Sequence, residues 1–316
     1  PHLTQSTELV RLRNSLLYEV IPADSSWAPA EMPASYHADR DPPNDEFRAV
    51  VVESGLAVPG DDWETALRIG RHLLRRVTSS SSAGPIMRDL SQTYRHIVEQ
   101  GEGYCGDFSD VFTGLATSAG IFARAWAFSF DGFGGHGHIF NEIWDGQAGK
   151  WRMIDVFNNQ YAVDSNGEPM SALALRESLL RGEATRWRPI LASARAGFPV
   201  AGKADEYYRR GVAEWYLWWG NDVFEYSDNV LVRPAGSIPR SWEQMAAIAV
   251  SVHPNIRVLE TRDNLEQRRA LYRLKILFEL ALILLPILFL LMLLSGWKLW
   301  VGRRRTNRMR RMTGDA

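Results

Sequence analysis

The chain reads as an α+β domain followed by one membrane-spanning helix, and three observations carry that reading. Helical periodicity dominates residues 61–119, where apolar side chains recur at three- and four-residue spacing. Strand-like runs come next, at 124–130, 137–144 and 151–156, separated by short Gly- and Asp-containing turns. Helices first and an antiparallel sheet after them is an α+β order. Near the end, residues 276–297 form a 22-residue apolar run with Glu279 as its one charge and Pro286 as its one proline. At about 1.5 Å per residue it is long enough to cross a hydrocarbon core of about 30 Å.

The chain has 316 residues and a formal net charge of −1, but the charge is unevenly spread. Eleven basic and two acidic residues fall in 268–316, which leaves 25 basic against 35 acidic residues in 1–267, a net of −10. An acidic body argues against nucleic acid as a partner, because phosphate binding needs a basic patch. The single cysteine excludes an internal disulfide. The chain begins on Pro1, with no signal peptide in view, so the expectation is that a longer precursor is processed.

Residues 1–60 form an extension. A short helix is expected over 7–18, and the Pro-, Ala- and Ser-rich stretch 22–43 reads as an irregular wrap. The run 46–52 fits either a strand or the start of a helix. The core is expected over 61–200. Asp61 and Asp62 precede an amphipathic helix carrying Trp63, Ala66, Leu67, Ile69, Leu73, Leu74 and Val77 on one side. Residues 78–84 read as a polar surface loop, and a second helix over 87–100 carries His96 in a structural or surface position.

The run from Gly101 to Asp110 is the organising element of the core. It holds Cys105, and Phe108, Val111, Phe112, Leu115 and Ala119 continue it as a helix with one apolar face. Gly101, Gly103 and Gly106 make the approach permissive. A thiol at a helix N-terminus meets unpaired amides and the positive end of the dipole, which favour a thiolate. Most free cysteines are small buried hydrophobes, and Cys105 alone would be read that way. His138, on a strand-like run, and Asp155, at the end of the next, change the balance, because a lone Cys with His and Asp on later strands suits nucleophilic catalysis. His136 falls on the same side of an alternating strand as His138, so the pair also admits a metal site with Cys105 or Asp155 as third ligand. No further Cys or His cluster supports that alternative, and neither metal nor cofactor is expected. Asp107 and Asp110 suit the first turns of the Cys105 helix as dipole partners. Asn158, Asn159 and Tyr161 read as a polar turn or as part of a cleft.

The order of these motifs resembles the core of the transglutaminase-like superfamily, a papain-like branch of cysteine enzymes. The residues that carry the resemblance are Cys105 at a helix start, the run from His138 to Glu142, the run from Trp151 to Asp155, and the segment from Gly120 to Arg124. It covers roughly residues 62–160. The resemblance implies a papain-like core of helices packed on an antiparallel sheet. It implies Cys105 as nucleophile, His138 as proton carrier and Asp155 as the carboxylate that orients the ring. Phe140 departs from the family, which has Trp there, and Gln100 is a candidate for the oxyanion side chain. The implied activity is acyl transfer or amide hydrolysis on a peptide or protein. The rival reading is a catalytically idle domain serving as a membrane-tethered scaffold in an envelope or polysaccharide-handling assembly.

Residues 201–267 are read as the aromatic-rich remainder of the soluble part. A helix is expected over 171–181, strands over 230–232 and 256–259, and a helix over 242–252. Tyr207, Tyr208, Trp215, Tyr216, Trp218, Trp219, Phe224 and Tyr226 crowd one segment; core packing is the default, and a sugar- or partner-binding surface is the alternative. The membrane helix is placed at 272–300, with Trp297 and Trp300 as interfacial anchors, and the basic tail at 301–316. Seven basic residues come after the apolar run and four precede it. The positive-inside rule therefore favours a cytoplasmic C-terminus and a single-pass protein whose catalytic body lies outside the cytoplasm, in the periplasm of a cell envelope.

Overall fold

The structure is a computed structural model that describes residues 7–39, 44–77, 89–194, 197–198, 200, 202–232 and 240–313, the side chains of 240–242 and 303–313 aside. The Ser-rich loop expected at 78–84 and the first residues of the helix expected from 87 lie outside the described residues, as do the basic side chains from Arg303 onward. The chain divides into two units, Pro1–Leu271 and Tyr272–Ala316.

In the first unit, chain order runs α1 (Thr7–Leu17), β1 (Tyr18–Glu19), α2 (Asp45–Glu53), α3 (Asp62–Leu74), α4 (Leu90–Gln100), α5 (Cys105–Ser118), β2 (Ala123–Ser129), β3 (Gly137–Asp145) and β4 (Lys150–Ile154). It continues with β5 (Gln160–Val163), α6 (Ala172–Leu180), β6 (Arg186–Pro189), α7 (Lys203–Arg210), β7 (Glu214–Trp218), α8 (Val223–Asp228), α9 (Arg240–Ala249) and β8 (Ile256–Val258). The last helix, α10, runs Leu265–Thr313. Six strands make one sheet in the order β1-β8-β7-β2-β3-β4, and β5 pairs with β6. Only β1 and β8 pair in parallel; the other neighbours in the six-stranded sheet are antiparallel. This is the expected α+β class.

Local chemistry accounts for the helix starts. Phe47 N donates to Asn44 Oδ1 at 2.9 Å, so the run that fitted either element becomes α2. Glu64 N donates to Asp61 Oδ1 at 2.8 Å and Gln92 N to Asp89 Oδ1 at 2.8 Å, each satisfying an orphan amide of a first turn. Helix α5 is central. Phe108, Val111, Phe112, Leu115 and Ala116 are buried and share one cluster with Phe47, Leu67, Ile69, Leu73, Ile97 and Ile143. Asn141 Nδ2 of β3 donates to Thr113 Oγ1 at 3.0 Å, and Thr113 Oγ1 donates to Ser109 O at 2.9 Å, which ties the helix to the sheet.

The aromatic segment is core. Tyr208, Trp215, Tyr216, Trp218, Trp219 and Phe224 are all buried. Strand β7 runs through it, paired with β2 on one edge and β8 on the other. The strand expected at 230–232 is a turn instead, where Val232 N donates to Asn229 O at 3.1 Å.

The second unit begins inside α10 at Tyr272. The stretch Leu265–Gly302 is apolar enough and long enough to cross a membrane, and its most apolar window is fully exposed in the chain by itself. A helix apolar on every side has no water-facing stripe, so its natural surrounding is lipid.

Candidate active site

Cys105 is the first residue of α5 and is half-buried. The turn before it is fixed by Gly101, which caps α4 at φ +72°. A Cβ there would overlap the Arg76 carbonyl, so only glycine fits both the dihedral and the space. Asp107, three residues beyond the cap, accepts from Tyr104 N at 2.8 Å and so closes the first turn on itself. The thiol thus stands on a rigid helix start, with its own amide N–H unclaimed by the helix ladder.

His138 sits on β3, in register with Phe128 of β2. Its Nε2 lies 2.9 Å from Asp155 Oδ2, and both side chains are buried. Asp155 follows the last residue of β4 and bridges back to Gln160. Its carboxylate is held from several sides: Asn158 N donates to Oδ1 at 3.2 Å, while Asn158 Nδ2 at 2.7 Å and Tyr208 Oη at 3.0 Å donate to Oδ2. Asn158 Nδ2 also lies 3.1 Å from His138 Nε2. Both nitrogens are donors when Nε2 carries its proton, so that proximity follows from their shared acceptor. Rings of Phe128, Phe140, Phe157, Phe198 and Tyr208 wall the imidazole.

The second imidazole nitrogen, Nδ1, is buried and meets no hydrogen-bond partner. The Cys105 side chain is nonetheless close enough to act on the ring's charge. Burial by itself lowers the His138 pKa, but the Asp155 charge, its hydrogen bond and the Cys105 side chain outweigh that and push it up to about 10. Tyr208 moves far above its ordinary value, first through burial and then through the Asp155 charge, and so stays a neutral donor.

Residues 53–156 match the family model of the transglutaminase-like superfamily. The chain therefore carries a transglutaminase-like domain. No curated protein and no solved structure matches it. The matched span contains Cys105, His138 and Asp155, and stops one residue after the last of them. Within it, Glu142 and Arg124 have a structural task. Arg124 Nε and Nη2 reach Glu142 Oε2 at 2.9 and 2.7 Å, Trp126 Nε1 donates to the same oxygen at 2.8 Å, and Ala172 N donates to Oε1 at 2.7 Å. The guanidinium also lies over the Trp151 ring, 3.5 Å from its centroid. Phe140, the departure from the family's Trp, is buried against Tyr208 and Trp215.

Other expected residues fall elsewhere. His136 precedes β3 rather than sharing its face, and its Nδ1 lies 2.9 Å from Asp131 Oδ2. Asp131 gathers donors from its own loop, including Gly134 N and His136 N, which draws His136 into the turn. His136 engages Asp131 and His138 engages Asp155, and among the described residues the two histidines do not come together in a group close enough to hold one ion. Gln100 is exposed at the end of α4. Tyr208 and Asn158 are the contributors that sequence reasoning did not assign. Asn158 had a signal in its nearness to Asp155; Tyr208 lies 53 positions away in the chain. A separate cavity of about 400 Å³, lined in part by Trp144, Trp151, Asp164 and Glu168, includes none of Cys105, His138 or Asp155.

Proposed function

We propose that this chain is a membrane-anchored cysteine enzyme that transfers or hydrolyses acyl groups of a peptide or protein. Cys105 is the nucleophile, His138 the proton carrier and Asp155 the carboxylate that holds the ring. The observation that carries the reading is the buried His138–Asp155 pair at 2.9 Å, with the other ring nitrogen unpartnered and the Cys105 side chain acting on the same ring.

His138 Nδ1 takes the thiol proton, and Sγ attacks the carbonyl carbon of an amide. The developing oxyanion is met by the Cys105 N–H at the helix N-terminus. The imidazolium returns its proton to the leaving amine, and the C–N bond breaks to leave a thioester. Water then releases an acid, or a second amine releases a new amide; in both cases His138 accepts the attacking proton and hands it back to sulfur.

The apolar part of α10 serves as the anchor. More basic residues come after it than before it, which favours a cytoplasmic tail and an extracytoplasmic, periplasmic catalytic unit. Alkylation of the full chain in detergent tests the chemistry. Cys105 should react with iodoacetamide in the folded protein, and His138→Ala should slow that reaction at least tenfold. A thiol that is inert while the protein is folded, or one indifferent to His138→Ala, overturns the enzyme reading and leaves a tethered scaffold.

A further inference from the structure

A second group of chemistry-bearing side chains lies away from Cys105. His37, Asp222 and Glu225 each offer one ligand atom, and these atoms lie within 4.8 Å of one another. Asp222 makes the group unusual. It is only 2% exposed, and neither carboxylate oxygen has a hydrogen-bond partner. Its nearest charged or titratable contact is His37 Nδ1, 3.5 Å from Oδ2. A buried carboxylate this poor in donors carries a desolvation cost when charged, which protonation or a bound cation can offset.

The frame around it is stiff. His37 N donates to Trp219 O at 3.2 Å, and Asn221 N donates to His37 O at 2.9 Å. Asn221 Nδ2 donates to Ala123 O at 2.8 Å, and its Oδ1 accepts from Asp39 N at 3.1 Å. Gly220 leaves the space: a Cβ there would press on His37 O at 2.8 Å and on Asp222 Oδ1 at 3.0 Å. The His37 side chain is 54% exposed, so an ion can reach the group from solvent.

We propose that His37, Asp222 and Glu225 bind a divalent transition-metal cation of the zinc class and so fasten the segment around His37 to the start of α8. Two ligand atoms on a tetrahedral zinc, each at roughly 2.1 Å, lie about 3.4 Å apart. The His37–Asp222 contact already has that span. One imidazole with two carboxylates suits zinc or its neighbours, whereas calcium and magnesium favour oxygen alone. The site is distinct from Cys105. Its frame bonds Ala123, beyond the C-terminal end of α5, while Cys105 begins that helix, about 21 Å away along a 14-residue α-helix.

The test uses the full chain in detergent, with Cys105→Ser to remove the thiol as a competing ligand. After chelation and dialysis, zinc chloride is added, bound zinc is counted by elemental analysis, and melting is followed by tryptophan fluorescence. One zinc per chain is expected, with an upward shift of about 5 °C at a hundredfold excess over Kd. His37→Ala and Asp222→Asn should each lose both the bound zinc and the shift. Asp222→Asn without metal should melt at or above the parent, which separates lost binding from lost folding. Zinc retained by both variants, no stoichiometric zinc in the parent, or an equal shift with calcium that survives His37→Ala would each overturn the assignment.

Discussion

Raising the pH from 6 to 10 should weaken the folded state through one identified group. His138 has an ordinary pKa of 6.5 and is pushed up to about 10 in the fold. A raised folded pKa means that the protonated ring stabilises the protein fully below about 6.5, and that this contribution is lost as pH climbs through about 10. With those two values, linkage gives a loss of about 4 kcal/mol between pH 6 and pH 10. The group is wholly buried beside Asp155, so solvent screening does little to reduce it. Guanidinium unfolding of the full chain in detergent, read by tryptophan fluorescence at half-unit pH steps, measures it. His138→Gln should flatten most of this slope, and Asp155→Asn should flatten it too, because the ring then lacks the charge that raises it. Parallel pH profiles for the parent and His138→Gln would refute the claim that a buried imidazolium–carboxylate pair supports this site.

Glu142→Gln should destabilise the domain by about 3–5 kcal/mol, because it leaves the buried Arg124 guanidinium without its counter-charge; denaturant midpoints check it. Arg124→Met combined with Glu142→Leu should recover much of that loss, since no unpaired charge remains. Tyr208→Phe should cost about 2 kcal/mol by removing a donor to a charged carboxylate, measured in the same unfolding assay. In cells, the full chain should stay with membranes through alkaline carbonate extraction, and a chain ended after Lys275, which keeps the buried Leu271, should be released.

The fold was most legible where one face of an element is buried. Helix α3 has a polar side and an apolar side, so its period stands out in the sequence. Strand β7 gave no such signal. Its five residues are all buried, so alternation disappears, and a short aromatic run fits a helix as well as a strand. The placement of Cys105 at a helix start and of His138 on a strand came from glycine punctuation and from alternation. The error over His136 came from giving it a side of a strand that begins only at Gly137. Nothing local announced that Asp131 would close its own loop and take that ring. Tyr208 was out of reach for another reason, because a contact across 53 positions leaves no trace in periodicity.

Asp155 shows why the candidate site depends on more of the chain than the matched span. Its Oδ2 sits 2.9 Å from His138 Nε2, and it accepts from Asn158 and Tyr208 besides. Each donor occupies a lone pair of the carboxylate, and together they fix which ring nitrogen is engaged. Two of the four contacts come from Asn158 and one from Tyr208, all beyond residue 156. Tyr208 is itself held against Phe128 and Trp215, and Trp215 belongs to β7, which supplies the partner edge of β2. Removing the aromatic segment would therefore strip one hydrogen bond from the carboxylate, open one wall around the imidazole and expose an edge of the central sheet. The motifs name the candidate side chains, while the aim of the imidazole and the carboxylate is set by residues that no motif contains.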